Sequence, residues 1–138
     1  MEKIIFEYDL NGEYGLESAW AEKIGDYYKL DNILFYAQEY SLGDIVEVEE
    51  RAEELFVVKL IKESGHSTIR ILFNDIKDVQ PIREELFSMG CSSEISNLPL
   101  LIAVDVPDYI EYSPIKSFLD IGEKQERWGY QEACIAHN

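Results

Sequence analysis

The stretch Ser64-Gly65-His66-Ser67-Thr68 sets an imidazole beside hydroxyls, and it is the only place in the chain where histidine and serine are adjacent. Nucleophilic catalysis uses these types: a hydroxyl attacks, an imidazole takes its proton, and an acid orients the imidazole. The spacing argues against that chemistry. Neighbours on an extended strand point to opposite faces, so His66 and Ser67 do not meet, and the chain contains no G-x-S-x-G elbow. With LFVVKLI (55–61) before it and STIRILF (67–73) after it, Ser64-Gly65-His66 reads as the apex of a hairpin. Gly65 would supply the positive φ there, with Ser64 and Ser67 bonding to the turn backbone.

Other reactive sets are thin. Of the two histidines, the second, His137, lies one residue from the C-terminus, where fraying is expected. Cys91 and Cys134 are too few for a disulfide scaffold or a multi-cysteine zinc site and read as buried free thiols. No EF-hand, P-loop or dinucleotide spacing occurs. The pairs Glu49-Glu50 and Glu53-Glu54 read as a solvated face, because catalytic carboxylates need a cleft that shifts their pKa. The sequence therefore assigns no catalytic residue, no metal, no cofactor and no enzymatic activity.

Charge is the dominant feature: 28 acidic against 12 basic residues, net −16, with a pI near 4.3. Such a field repels nucleic acid and anionic membranes and speeds encounter with basic partners; acidity for solubility alone is the competing explanation. Both halves share it, with 16 acidic and 6 basic residues in 1–64 and 12 and 6 in 65–138. Two stretches stand out as partner surfaces. EVEERAEEL (47–55) gathers Glu47, Glu49, Glu50, Glu53 and Glu54 around Arg51. DVPDYIEYSP (105–114) interleaves Asp105, Asp108 and Glu111 with Tyr109 and Tyr112, the composition of a binding hot spot, unless the tyrosines lid the core beneath a following helix.

The elements that would carry these residues fall into two rhythms. In 1–64, short strands (IIFEY 4–8, LESAWAEKI 16–24, YYKL, IVEVE 45–49, LFVVKLI) alternate with turn dipeptides such as Asn11-Gly12 and Gly25-Asp26, which predicts a small antiparallel β-barrel-like sheet. RAEEL (51–55) could instead form one helical turn. In 65–138, the order is STIRILF, a helix over PIREELFSMG (81–90) stopped by Gly90, a short strand at SSEIS, a buried strand in PLLIAVDVP (99–107), a helix from Ser113 as N-cap, and the strand WGYQEACI (128–135). This is β-α-β-β-α-β, and the class is α+β with a ferredoxin-like second half. Cys91 and Cys134 should then flank opposite sheet edges. Without a linker, the two halves should pack as one unit. No run of about 18 apolar residues is present to cross a bilayer, and MEKIIFEYDLNGEYG lacks the basic flank and apolar stretch of a signal peptide; the expected location is cytoplasmic.

Several pieces line up with one family. Trp20-Ala21-Glu22, Leu30-Asp31-Asn32-Ile33, Ser41-Leu42-Gly43-Asp44 and Ser64-Gly65-His66-Ser67-Thr68 together resemble bacterial proteins grouped as domain of unknown function four-two-six-five, over residues 17 to 135. Leu34 stands where that family is expected to carry proline. The resemblance brings no enzymatic activity. It implies a small bacterial protein similar to immunity proteins of contact-dependent or Rhs-type polymorphic toxin systems. The expected function is to bind a cognate basic toxin domain, a nuclease above all, and occlude its active site. A small-molecule regulatory module and an uncharacterised enzyme are the alternatives.

Overall fold

Turn chemistry builds the first half. The computed structural model describes residues 1–137. Asn11 and Gly12 both take positive φ, 53° and 85°, the backbone of a hairpin turn whose twist matches its strands. They join β1 (Glu2–Leu10) to β2 (Glu13–Ile24). Gly25 turns β2 into β3 (Tyr27–Leu30). A third hairpin joins β4 (Ile45–Arg51) to β5 (Glu54–Lys62) through Ala52-Glu53. The helical turn considered for 51–55 is therefore absent: Arg51 pairs with Glu54, and Ala52 and Glu53 lie at φ 51° and 69°. That region costs an L-residue about 1–2 kcal/mol, and neither position is Gly or Asn, so no turn signal was there to read.

The five strands close into a barrel. In an up-and-down path of five, the first and last strands run the same way. Closure is accordingly parallel, Ile4 opposite Leu55 and Ile5 opposite Phe56, while every other neighbouring pair is antiparallel. Ile4, Phe6, Ala19, Ala21, Leu30 and Val46 fill the interior.

The second half runs β6 (Ser67–Phe73), a 3-10 turn (Ile76–Asp78), α1 (Val79–Ser88), β7 (Ser92–Ile95), β8 (Leu101–Val106), α2 (Tyr112–Lys124) and β9 (Trp128–Cys134). Its strands form one antiparallel sheet in the order β7-β8-β6-β9. Period-2 alternation puts Ile69, Ile71 and Phe73 of β6 with Ile102, Val104 and Val106 of β8 on one face, where Ile82 and Leu86 of α1 and Ile115 and Leu119 of α2 cover them. Ser113 is not the N-cap of α2: the helix starts two residues earlier, at Tyr112, capped by the extended backbone of Glu111 without a side-chain bond. α2 lies so close to Trp128 that a Cβ on Gly122 would fall 1.8 Å from the indole ring. β7 and β9 occupy opposite edges, and both cysteines are free.

The hairpin expected around Gly65 does not form. β5 has one edge on β4 and the other on β1, and β6 has its edges on β8 and β9, so the two cannot pair. Residues 63–66 are a crossover from barrel to sheet, although Gly65 does take positive φ, 90°.

The two cores meet through polar groups. The β3–β4 connection, residues 31–44, passes between barrel and sheet, and its backbone is held from both sides. From β2, the Glu17 carboxylate accepts the N–H groups of Phe35 (2.7 Å), Tyr36 (3.0 Å) and Ala37 (2.9 Å). From β6, the Arg70 guanidinium donates to the carbonyls of Leu34 (3.4 Å), Tyr36 (3.2 Å) and Ala37. Arg70 is buried, which pulls its pKa below the ordinary value against the opposing charge of Glu17. Ser41 adds a buried hydroxyl bond to Thr68, 2.7 Å. Arg70→Leu strands three carbonyls and leaves Glu17 without its countercharge. The expected cost is about 3 kcal/mol, read in urea melts, with Arg70→Lys recovering only part because an ammonium cannot fork across the loop. A leucine variant that melts with the wild type contradicts this account of the junction.

Candidate functional site

The crossover carries the residue types closest to a catalytic set. His66 Nδ1 lies 2.8 Å from Asp105 Oδ1 and 3.1 Å from Oδ2. The antiparallel register of β6 and β8, with Ser67 opposite Val106 and Thr68 opposite Asp105, brings the start of one strand to the end of the other. Asp105 is 2% exposed. Burial lifts its carboxyl above the ordinary range, against the hydrogen bond and charge of His66. A buried carboxylate on Nδ1 leaves Nε2 facing outward, with Asp108 Oδ1 3.8 Å away, at the edge of an open hollow of ≈420 Å³ that Lys29 and Lys62 also line.

An orienting acid and an imidazole are thus in place, but the hydroxyls are engaged elsewhere. Ser64 Oγ donates to the Leu42 carbonyl (2.7 Å) and accepts the His66 N–H (3.1 Å). Ser67 Oγ, fully buried, bonds to His137 Nδ1 and accepts the Ala136 N–H, while His137 Nε2 donates to the Pro107 carbonyl at 2.8 Å. His137 is therefore pinned rather than frayed. Asp44, also buried, accepts the N–H groups of Ser41 (2.9 Å) and Ser64 (2.8 Å). The buried Cys91 thiol has its pKa pushed up to about 11, which keeps it protonated and inert at neutral pH. As arranged, this cluster ties the crossover, the end of β8 and the C-terminal segment together.

The residues proposed as partner contacts divide. Asp105 is not on the surface: it is the last residue but one of β8 and is spent on His66. Tyr112 is 8% exposed and packs in the helix–sheet core, its hydroxyl donating to Glu132 at 2.6 Å; it lids the core, because the first turn of α2 points it inward. Asp108, Tyr109 and Glu111 remain exposed, Tyr109 at 80%. On the β4–β5 hairpin, Glu49, Glu50, Glu53 and Glu54 are exposed and Glu47 is half-buried. Arg51 is consumed by Glu7 (2.9 Å) and Glu49 (2.5 Å) and stacks on Phe56. Among the described residues, Glu50, Glu53 and Glu54 have no salt bridge and border a hollow of ≈740 Å³ over β1 and β2. Sequence reasoning missed that wall. Ile5, Leu16 and Trp20 alternate with core residues, and only barrel closure brings them beside the hairpin acids.

A family model described as "Domain of unknown function (DUF4265)" matches residues 17–130. The chain belongs to that family. A crystal structure of a hypothetical protein from Neisseria gonorrhoeae is similar over 99% of this chain and 96% of that one, with a TM-score of 0.84 at 28% identity. No curated protein matches. The segments that carry the likeness to DUF4265 proteins converge at the barrel–sheet junction. Asn32 Oδ1 accepts the Trp20 N–H, Ser41 meets Thr68, and Asp44 holds Ser64. Leu34, standing in place of the expected proline, is buried in the barrel core and still offers its carbonyl to Arg70.

His66→Ala would leave the buried Asp105 carboxylate without its hydrogen-bond donor, and a loss of about 2 kcal/mol is expected at pH 7. Without His66 the Asp105 carboxyl lies still higher above its unfolded value. The folded variant therefore takes up a proton before the unfolded chain does, and it gains relative stability as the pH falls. The deficit should be smaller at pH 4 than at pH 7. Denaturant melts at both pH values check this; equal stability at pH 7, or a larger deficit at pH 4, contradicts the pairing.

Proposed function

We propose that this DUF4265 protein works by docking on a basic protein partner. In its most specific form it is an immunity protein that covers the active site of a cognate toxin domain. A nuclease fits best, because it must present lysines and arginines to phosphate, and carboxylates offered in their place give electrostatic complementarity and fast association. The observation that carries this reading is the β4–β5 hairpin. Its tip holds Glu53 in a left-handed backbone that glycine would adopt without cost, and the salt bridges of Arg51 leave Glu50, Glu53 and Glu54 uncompensated. The net charge of −16 supports it.

The reading extends to the scaffold and setting. The second half is taken as a ferredoxin-like unit, supported by its strand order and by helices on one face. The cytoplasm is taken as the place of action; among the described residues no helix is long and apolar enough to cross a membrane. Catalysis has no part in the proposal, since the hydroxyls around His66 serve the crossover. A second reading, a small-molecule regulatory module, draws on the apolar cleft of ≈360 Å³ between Leu10, Phe35, Tyr36, Leu72 and Tyr130.

On this reading, co-expression with a basic nuclease toxin domain found in the neighbouring genes should restore growth and yield a stable complex on affinity capture. Reversing Glu50, Glu53 and Glu54 to lysine should slow association at low salt by tenfold or more and flatten its dependence on ionic strength. The absence of rescue and of any complex contradicts the proposal. A metabolite that raises the melting temperature without a protein partner favours the second reading.

A further inference from the structure

The outer wall of the barrel offers more than charge. Ile5, Leu16 and Trp20 point away from the core alternation of Ile4, Phe6, Ala19 and Ala21, and Leu16 and Trp20 stay 51% and 46% exposed. Two hollows, of ≈740 and ≈290 Å³, both border Lys3, Ser18 and Trp20, and together they line a trough across β1 and β2. At one end Leu55 forms apolar floor and Glu2, Glu50, Glu53 and Glu54 form the rim; at the other lies Glu94. The indole face already takes a cation: the Lys3 ammonium sits 5.3 Å from its centroid.

An apolar floor wants apolar side chains, an anionic rim wants cations, and a trough over a strand pair suits an extended chain. We propose that this trough is the docking site for an extended segment of the partner protein in which arginine or lysine alternates with large apolar residues. The cations meet the glutamate rim, and the apolar side chains cover Ile5, Leu16 and Trp20. This rests on the docking reading above and names its site and the chemistry of its ligand. It also sets the exposed Asp108-Tyr109-Glu111 loop outside the primary contact. In the other apolar cleft, around Leu72 and Tyr130, the charged group among the described lining residues is Arg70, which is already bonded to the 34–37 carbonyls.

Fluorescence makes the trough testable with the intact chain. Of the two tryptophans, Trp128 is 2% exposed and Trp20 46%, so acrylamide quenching reports on Trp20. The probe is a labelled peptide of alternating arginine and leucine, with one control carrying serine for leucine and another glutamate for arginine. The arginine–leucine peptide should bind, shield Trp20 from acrylamide, and lose about tenfold in affinity with Trp20→Ala, less with Trp20→Phe, which keeps an aromatic face. Glu50→Gln combined with Glu54→Gln should lose a similar factor, and the serine control should bind about tenfold more weakly. The quenching result on the wild-type chain stands even if a variant misfolds. A peptide that binds while Trp20 stays fully quenchable, or a serine control that binds equally well, overturns the trough while leaving docking by charge intact. Failure of every cationic peptide overturns the trough too, and only failure of the toxin capture as well would bring down the docking reading.

Discussion

One loop backbone held between a carboxylate and a guanidinium sets the geometry of the molecule. Residues 34–37 show their N–H groups to Glu17 and their carbonyls to Arg70, so one short segment is satisfied from the barrel on one side and from the sheet on the other. The two apolar cores do not need this contact to form, since each closes on its own residues. They need it to be aligned. Apolar surfaces slide at little cost, whereas a buried guanidinium aimed at three carbonyls has essentially one low-energy placement, and losing any partner leaves a buried polar group unpaired. Under the docking proposal rigid alignment matters, because interface groups that are already ordered lose less entropy on binding.

The same economy explains the motif that looks most like chemistry. His66, Asp105, Ser64, Ser67, Asp44 and His137 each have partners that fix chain connections. They join the crossover to the β3–β4 loop, the crossover to the end of β8, and the C-terminal segment to β6. Their types suit this work because short polar side chains satisfy the unpaired backbone of irregular segments where barrel and sheet offer no ladder. With these groups committed, the barrel's outer wall stands apart, where carboxylates that form no salt bridge among the described residues sit beside an exposed indole.

Local signals were legible and long-range ones were not. Asn11-Gly12 and Gly25 marked their turns, STIRILF its strand to the residue, and the β-α-β-β-α-β order emerged from periodicity. Ala52-Glu53 was opaque because its left-handed backbone is imposed by strand pairing against the preference of both residues. The hairpin at Gly65 was misread because two consecutive apolar strands look alike whether they pair with each other or join separate sheets; only the closure of the barrel by β5 on β1 decides. Asp105 and Tyr112 passed for surface residues in an acidic, aromatic stretch. The pairing of β8 with β6 is what buries Asp105, 39 residues from His66 in sequence, and a helix beginning two residues early is what buries Tyr112.

Under the docking proposal, a welded acidic scaffold presents the outer wall of β1 and β2 and the β4–β5 hairpin to a basic partner. Amide hydrogen exchange on the free chain and on its complex with a captured partner tests this most directly. The account predicts slowed exchange at residues 3–5, 16–20 and 50–55 in the complex, with residues 108–111 unchanged. Protection confined to 108–111 or to the helices, with the barrel wall exchanging as in the free chain, would contradict it.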